Sequence, residues 1–316
     1  MNDLIAAIRQ TAKQLLEEDK VDLIIGFEDG TVPLCSSPCF IYNPDDTERL
    51  TWNSSCENNL ANYLPGRNER VGIVAKGCDS RAIVGLLQEN QIEREKLVIL
   101  GVPCRGMIDR KKLESALQGK EALEVEEREE EILIKGSDFE KVLPRTDLLH
   151  QSCKVCRHRN PVIYDSLLGE KVPENEEADE YEDIKQFEAK SAEERRDYLT
   201  GEISKCIRCY ACRNACPFCY CRECFVDNTE PQWVGKTVDP IDTELFHLVR
   251  ALHLAGRCVD CGACERACPM GVDLRKLNKK LEKDVDERFG YKAGLNLEEL
   301  PPLATYKPED EQEFIK

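Results

Sequence analysis

The chain has 316 residues, enough for two ordinary domains with a core each. It carries 61 acidic against 44 basic side chains, a formal charge of -17, so a nucleic-acid backbone would be repelled over most of the surface and nucleic-acid binding is not expected. Its 18 cysteines are regularly spaced, which in a reducing compartment points to metal ligation rather than disulfides.

The opening stretch, MNDLIAAIRQTAKQLLEEDK, puts Leu4, Ile5, Ile8, Ala12, Leu15 and Leu16 on one face and predicts an amphipathic helix. It has no basic n-region ahead of an apolar core, so no signal peptide is expected. The longest apolar runs, VGIVA and LVIL, fall far short of the ~20 residues that cross a bilayer. A cytoplasmic protein without a transmembrane segment follows. Three cysteines, Cys35, Cys39 and Cys56, come next without a motif of their own.

From Arg70 to Cys104 the text is RVGIVAKGCDSRAIVGLLQENQIEREKLVILGVPC. RVGIVA reads as a buried strand, DSRAIVGLLQEN as a helix capped by Asp79 or Ser80, and KLVILGV as a second strand. This unit predicts an α/β front domain with a small parallel sheet. Cys78 and Cys104 then fall in equivalent places, each just past a strand's carboxyl end, the rim where such sheets hold ligands. Lys76 and Arg81 flank the helix start; they are candidates to hold a flavin phosphate, the plainer reading being solvated charges around an anionic cluster. No G-x-G-x-x-G or Walker A sequence occurs, so a Rossmann dinucleotide site has no support.

Further on, HQSCKVCRHRNPVIYD supplies Cys153-x2-Cys156. Alone, this pair reads as zinc or redox chemistry; with Cys78 and Cys104 it completes the four thiolates of a cubane. These segments resemble the beta subunits of coenzyme F-420 hydrogenase and dehydrogenase. In that family a G-x-P-C segment opens a helix, a later strand ends in a cysteine after a glycine, and a C-x2-C closes the set. KGCDSRA, LGVPC and CKVC carry the resemblance, over residues 70 to 165. It implies a 4Fe-4S cluster on Cys78, Cys104, Cys153 and Cys156. The family's flavin is not carried over with it, because the segment that helps form the flavin pocket is replaced here by LLGEKVPENEEADEYEDIKQ. The family's ferredoxin part also usually comes first, and here it comes last.

KVPENEEADEYED is acidic and almost free of apolar side chains, a linker or surface strap. FEAKSAEERRDYLTGEISK then reads as a helix delivering Cys206. Cys206, Cys209, Cys212 and Cys216-Pro217 reproduce C-x2-C-x2-C-x3-C-P, and Cys258, Cys261, Cys264 and Cys268-Pro269 reproduce it again. Three thiolates two residues apart wrap three corners of one cubane, and the fourth, turned away by the proline, completes the other. One 4Fe-4S cluster is therefore assigned to Cys206, Cys209, Cys212 and Cys268, the second to Cys258, Cys261, Cys264 and Cys216. Structural zinc is the rival reading, but zinc has no use for a third evenly spaced cysteine plus Cys-Pro.

Between the quartets, DTELFHLVRALHLAGRC predicts a helix stopped at Gly256; its His247 and His253 read as packing or solvent contacts. This half resembles the α-helical dicluster ferredoxin module of heterodisulfide-reductase and succinate-dehydrogenase iron-sulfur subunits. Cys219, Cys221 and Cys224 are left over. They are either buried or free thiols or part of a further metal site with Cys35, Cys39 or Cys56 or a partner chain, which would make a fourth cluster. Lys154, Lys205, Arg208, Arg213, Arg257 and Arg266 lie among the ligands, where they either raise potentials or are plain surface charge.

The expected layout is a front domain at 1–168, an acidic linker at 169–190, an α-helical dicluster domain at 191–285 and an extended, partner-docking tail at 286–316. Three cubanes with no triad or acid–base pair describe a conductor: an electron-transfer subunit of an anaerobic formate dehydrogenase, hydrogenase or heterodisulfide-reductase complex. Its expected partners are a catalytic subunit, a flavoprotein subunit and soluble ferredoxin. The alternative is an FAD-containing subunit that itself oxidises or reduces coenzyme F-420 or NAD(P)H.

Overall fold

The computed structural model describes residues 2–305 of the chain. Helix α1 (Asn2–Glu17) buries Ile8, Ala12 and Leu15, the face its periodicity marks. After it come β1 (Leu23–Asp29), β2 (Ser36–Ile41), the two-residue β3 (Leu50–Thr51), β4 (Val71–Ala75), α2 (Gly77–Gln88) and β5 (Leu97–Gly101). Helix α3 (Arg110–Leu117) precedes three strands, β6 (Glu124–Glu127), β7 (Glu131–Lys135) and β8 (Glu140–Pro144). The front half closes with two single turns, α4 (Arg145–Leu148) and α5 (Gln151–Lys154), and the short β9 (Ser166–Leu167).

The main sheet runs β2-β1-β4-β5-β9, with β3 pairing β1. Strands β1, β4, β5 and β9 are mutually parallel, as the β-α-β unit requires, whereas β2 and β3 run antiparallel to β1. The sheet is therefore mixed: the expected parallel pairing holds for β1, β4, β5 and β9, and β2 and β3 add an antiparallel edge. Six residues link β1 to β2, too few for a parallel crossover but ample for a reversal closed by the Gly30 amide on the Cys35 carbonyl. A second, antiparallel sheet, β6-β7-β8, was not anticipated. Its strands are rich in glutamate, yet Ile132 and Ile134 of β7 close a small core with Leu113, Leu117 and Leu148.

The expected cap of α2 moves as well. The helix begins at Gly77, so Asp79 sits at its third position, where its carboxylate accepts the backbone N–H of Lys76 at 3.1 Å. Gly77 tolerates no side chain, because a Cβ there would collide with the His158 carbonyl.

The acidic segment ends in α6 (Glu182–Glu188), where Ile184 is fully buried and Tyr181 nearly so. It is followed by α7 (Ala192–Ser204), opened by a Ser191/Glu194 capping box, then α8 (Ala211–Asn214), α9 (Pro240–His253), α10 (Ala263–Arg266) and α11 (Leu274–Phe289). The single turns α8 and α10 pack on each other. Helix α11 runs past residue 286, where an extended tail was expected, and the chain beyond it lies on α2. There Gln88 Nε2 donates to the carbonyls of Asn296 and Glu299, at 2.8 and 2.6 Å. The last eleven residues of that tail fall outside the described residues.

One continuous core joins the sheet (Leu23, Ile25, Ile73, Ile99) to Phe218, Leu254, Val259 and Tyr291. No helix among the described residues is long and apolar enough to cross a membrane.

Candidate metal centres

Strands β4 and β5 are adjacent and parallel, so the residues just past their carboxyl ends meet on one rim. Cys78 stands there in the first turn of α2. Cys104 stands beside it, two residues after Val102, whose amide bonds the Ala75 carbonyl. Cys153, on α5, and Cys156, just after it, complete the set: all four thiols line one cavity. Burial pushes the Cys104 thiol up to about 12 and Cys156 to about 11. Thiols so placed cannot ionise together unless a cationic centre lies between them. The amide of Gly106 points at Cys104 Sγ, 3.3 Å away, ready to stabilise a thiolate.

Lys76 and Arg81 line this same cavity, but neither is a solvated charge. Lys76 Nζ donates to the Asn58 carbonyl at 2.6 Å and pairs with Asp79 at 3.0 Å. Arg81 spends Nε and Nη2 on the Ala293 carbonyl, at 3.1 and 2.8 Å, and points Nη1 at the Val259 carbonyl. The space they face is the thiol-lined one.

The two quartets are built alike. Arg208 and Asp260, each two residues past the first cysteine, adopt left-handed φ values of 50°. Tyr210 and Gly262, each directly after the second cysteine, do the same at 60° and 71°. This alternation curls each loop so that its amides point inward; that of Arg208 reaches Cys206 Sγ at 3.3 Å. Cys258, Cys261 and Cys264 line a cavity together with Cys216 from the first quartet. The exchange is reciprocal: Cys206 and Cys212 pack in one cluster with Cys268 from the second. Burial pushes the Cys206 thiol up, against the Arg208 amide, and the nearby Cys268 and Cys209 add to the rise.

Two donor sets are thus four soft sulfurs around a space, and the third brings Cys206, Cys212 and Cys268 together with Cys209 exposed beside them. Among the described residues, no three His, Cys, Asp or Glu side chains stand close enough to hold a single metal ion. Sulfurs that face one another across a cavity suit a cubane, which offers each thiolate its own iron, better than the closed tetrahedron of zinc. The residues therefore fit 4Fe-4S clusters.

The leftover cysteines are spread over the front core, the surface and the edge of the first quartet. Cys39, on β2, and Cys56 are buried in the front core, and burial pushes both up to about 12, which keeps them protonated. Cys35 is partly buried against Gly30, Cys221 is exposed, and Cys224 packs beside the first quartet. Cys219 sits one turn after Cys216, its amide donating to the Cys216 carbonyl at 3.1 Å.

Several residues of the site escaped sequence reasoning. Asn278, on α11, directs Nδ2 at Cys264 Sγ, 3.7 Å away. Asp260 is clamped between Arg275 at 2.8 Å and Lys279 at 3.2 Å. Arg250, on the inner face of α9, lines the second cavity and donates to the Cys212 carbonyl at 3.0 Å. A charge at i+4 from the core residue Phe246 was the available signal. His247 is buried and neutral, its imidazole held down to about 4 by burial and by Arg250, while His253 meets Phe225 edge-on.

Residues 202–272, behind the α/β region, match the 4Fe-4S dicluster domain family. The chain is similar along nearly its whole length to the F420-dependent formate dehydrogenase subunit beta of Methanocaldococcus jannaschii, 26% identical over an alignment covering 94% of this chain and 93% of that one. The F420-dependent formate dehydrogenase 1 subunit beta of Methanococcus maripaludis is 24% identical, with 94% and 92% covered. A chain of the F420-reducing hydrogenase complex from Methanosarcina barkeri matches with a TM-score of 0.39 and 18% identity, over 48% of this chain and 59% of that one. The resemblance carried by KGCDSRA, LGVPC and CKVC thus extends through the dicluster domain.

Proposed function

We propose that the chain is the beta subunit of an anaerobic formate dehydrogenase or hydrogenase complex, conveying single electrons between a catalytic subunit and a flavin or soluble carrier. One observation carries the reading: Cys261 lines both the front cavity and the second, so two four-thiol sites share a wall. The second cavity in turn exchanges a cysteine with the first quartet. Three sites in contact describe a path through the chain rather than isolated structural centres.

A 4Fe-4S cluster, when bound, accepts and donates one electron, at a potential set by charge, hydrogen bonds to sulfur and exposure. The chain's own residues fix those settings. Cys78, Cys104, Cys153 and Cys156 would hold the front cluster; Cys258, Cys261, Cys264 and Cys216 the middle one; Cys206, Cys209, Cys212 and Cys268 the outer one. Arg266 ties the first two together, donating from Nη1 to the Cys261 carbonyl at 2.8 Å and from Nη2 to the Glu57 carbonyl. Cys209 is exposed, which puts the outer site within reach of a partner.

Iron and flavin analysis of anaerobically purified protein tests the reading. About 12 iron atoms per chain are expected, four for each four-thiolate site, without flavin. About eight would remove the front cluster. Bound FAD, bleached by reduced coenzyme F-420 or NADH, would make the subunit the site of hydride chemistry instead.

A further inference from the structure

Most arginines beside the cysteines are neutralised within the chain. Arg213 pairs with Asp227 at 2.7 Å, Arg257 with Glu89 at 2.5 Å, and Arg275 with Asp183 and Asp260, both at 2.8 Å. Arg266 lies 3.6 Å from Glu57. Arg250 differs. Only 4% of its surface is exposed, and it pairs with no carboxylate among the described residues. Its one hydrogen bond to an oxygen goes from Nη2 to the Cys212 carbonyl, and its Nε is buried with no partner. A buried cation without an anion is costly to keep in a folded protein. Thiols of both quartets lie near it, Cys264, Cys216 and Cys212, together with the leftover Cys219. Arg250 also lines the cavity formed by Cys216, Cys258, Cys261 and Cys264.

We propose that Arg250 is a positioning residue that serves as the shared counter-charge of the two dicluster sites, its guanidinium raising the reduction potential of both. A thiolate-ligated cubane is net negative and becomes more so on reduction, so a fixed cation beside it favours the reduced form. Placed between two such sites, one guanidinium acts on each and eases the coexistence of two negative centres. The helix that carries it is anchored at its start by Asp239, which caps the amides of Ile241 and Asp242, so the charge is held in place.

The inference rests on the presence of both dicluster cubanes. Iron analysis of the parent protein tests that by itself, before any variant is made. The Arg250 experiment is a potentiometric titration of full-length protein, followed by electron paramagnetic resonance, for the parent, Arg250→Gln and Arg250→Lys. In Arg250→Gln the midpoints of both dicluster signals are expected to fall, so that at a fixed ambient potential the reduced-to-oxidised ratio drops about tenfold, ~59 mV for a one-electron couple. The front-site signal should not move. Arg250→Lys, which keeps the charge, should load iron fully and stay within a factor of about three of the parent ratio, under half that shift on the same scale. If Arg250→Gln fails to load, loading and near-parent potentials in Arg250→Lys still support the charge role. A loaded Arg250→Gln with unmoved potentials overturns the proposal, as does movement of only one signal, or an Arg250→Lys that fails to load or shifts as far as Gln.

Discussion

At the scale of single residues, charge is placed where apolar side chains would ordinarily go. Lys76 is 2% exposed and Asp79 not at all, yet they lie 3.0 Å apart beside four cysteines. A hydrophobic pair would suit the core better in isolation. Here Lys76 adds positive charge to a cavity that must hold thiolates, and Asp79 fixes the lysine while bonding the amides of Lys76 and Leu60. Removing only the carboxylate strands a buried cation. Asp79→Ala is therefore expected to cost about 3–5 kcal/mol, read as a lowered midpoint in anaerobic denaturant unfolding; a loss under about 1 kcal/mol would mean that water reaches the pair. Ligand loss reads differently. Cys78→Ser should lower bound iron by about four atoms per chain while the dicluster signals persist. Loss of all iron would show that the front site is not an independent unit.

At the scale of elements, the acidic strap gains its place by ion pairing. Glu180 accepts from Lys279 at 3.3 Å and from Lys292, while Ile184 of α6, which packs on α11, is fully buried. Burial opposes ionisation of Glu180, but the two lysines outweigh it and hold its carboxyl below the usual range. The sign follows: a depressed carboxylate adds stability above its unfolded value, about 4.3, and loses it as pH falls through the folded one. Proteolysis within residues 170–181 should thus be slow at neutral pH and quicken below about pH 4. Glu180→Gln should show the fast rate at neutral pH. Equal rates for parent and variant at neutral pH would mean that Ile184 and Tyr181 alone hold the strap.

Across the whole molecule, the two halves share one core, and Phe218, between Cys216 and Cys219, is its junction. It packs against Gly85 of α2 with 4% of its surface exposed. Phe218→Ala is expected to destabilise the chain by about 3–5 kcal/mol. Because the core is continuous, the front and dicluster halves should melt together in parent and variant, followed by circular dichroism and by loss of cluster absorption. Two separated transitions in the parent would mean that the halves fold independently. A shared core also has a functional sense, since it holds Cys261 in the wall of both cavities at fixed separation.

Local sequence determined what depends on local spacing. Two C-x2-C-x2-C-x3-C-P runs, an amphipathic first helix and one strand–helix–strand unit could be read directly, because thiolate spacing, helical period and strand hydrophobicity are written over a few residues. The sheet's antiparallel edge was not legible, because pairing of β1 with β2 is decided by register between strands rather than by either strand's composition. The glutamate-rich second sheet was hidden for a similar reason: only contact with α3 and α4 makes Ile132 and Ile134 a core. Nor could spacing show that Cys39 and Cys56 lie in the core, that Cys261 faces two cavities, or that Arg250 has no carboxylate beside it. Those facts depend on which distant residues fold against one another, and burial, which sets the cost of every charge and thiolate here, exists only once they have done so.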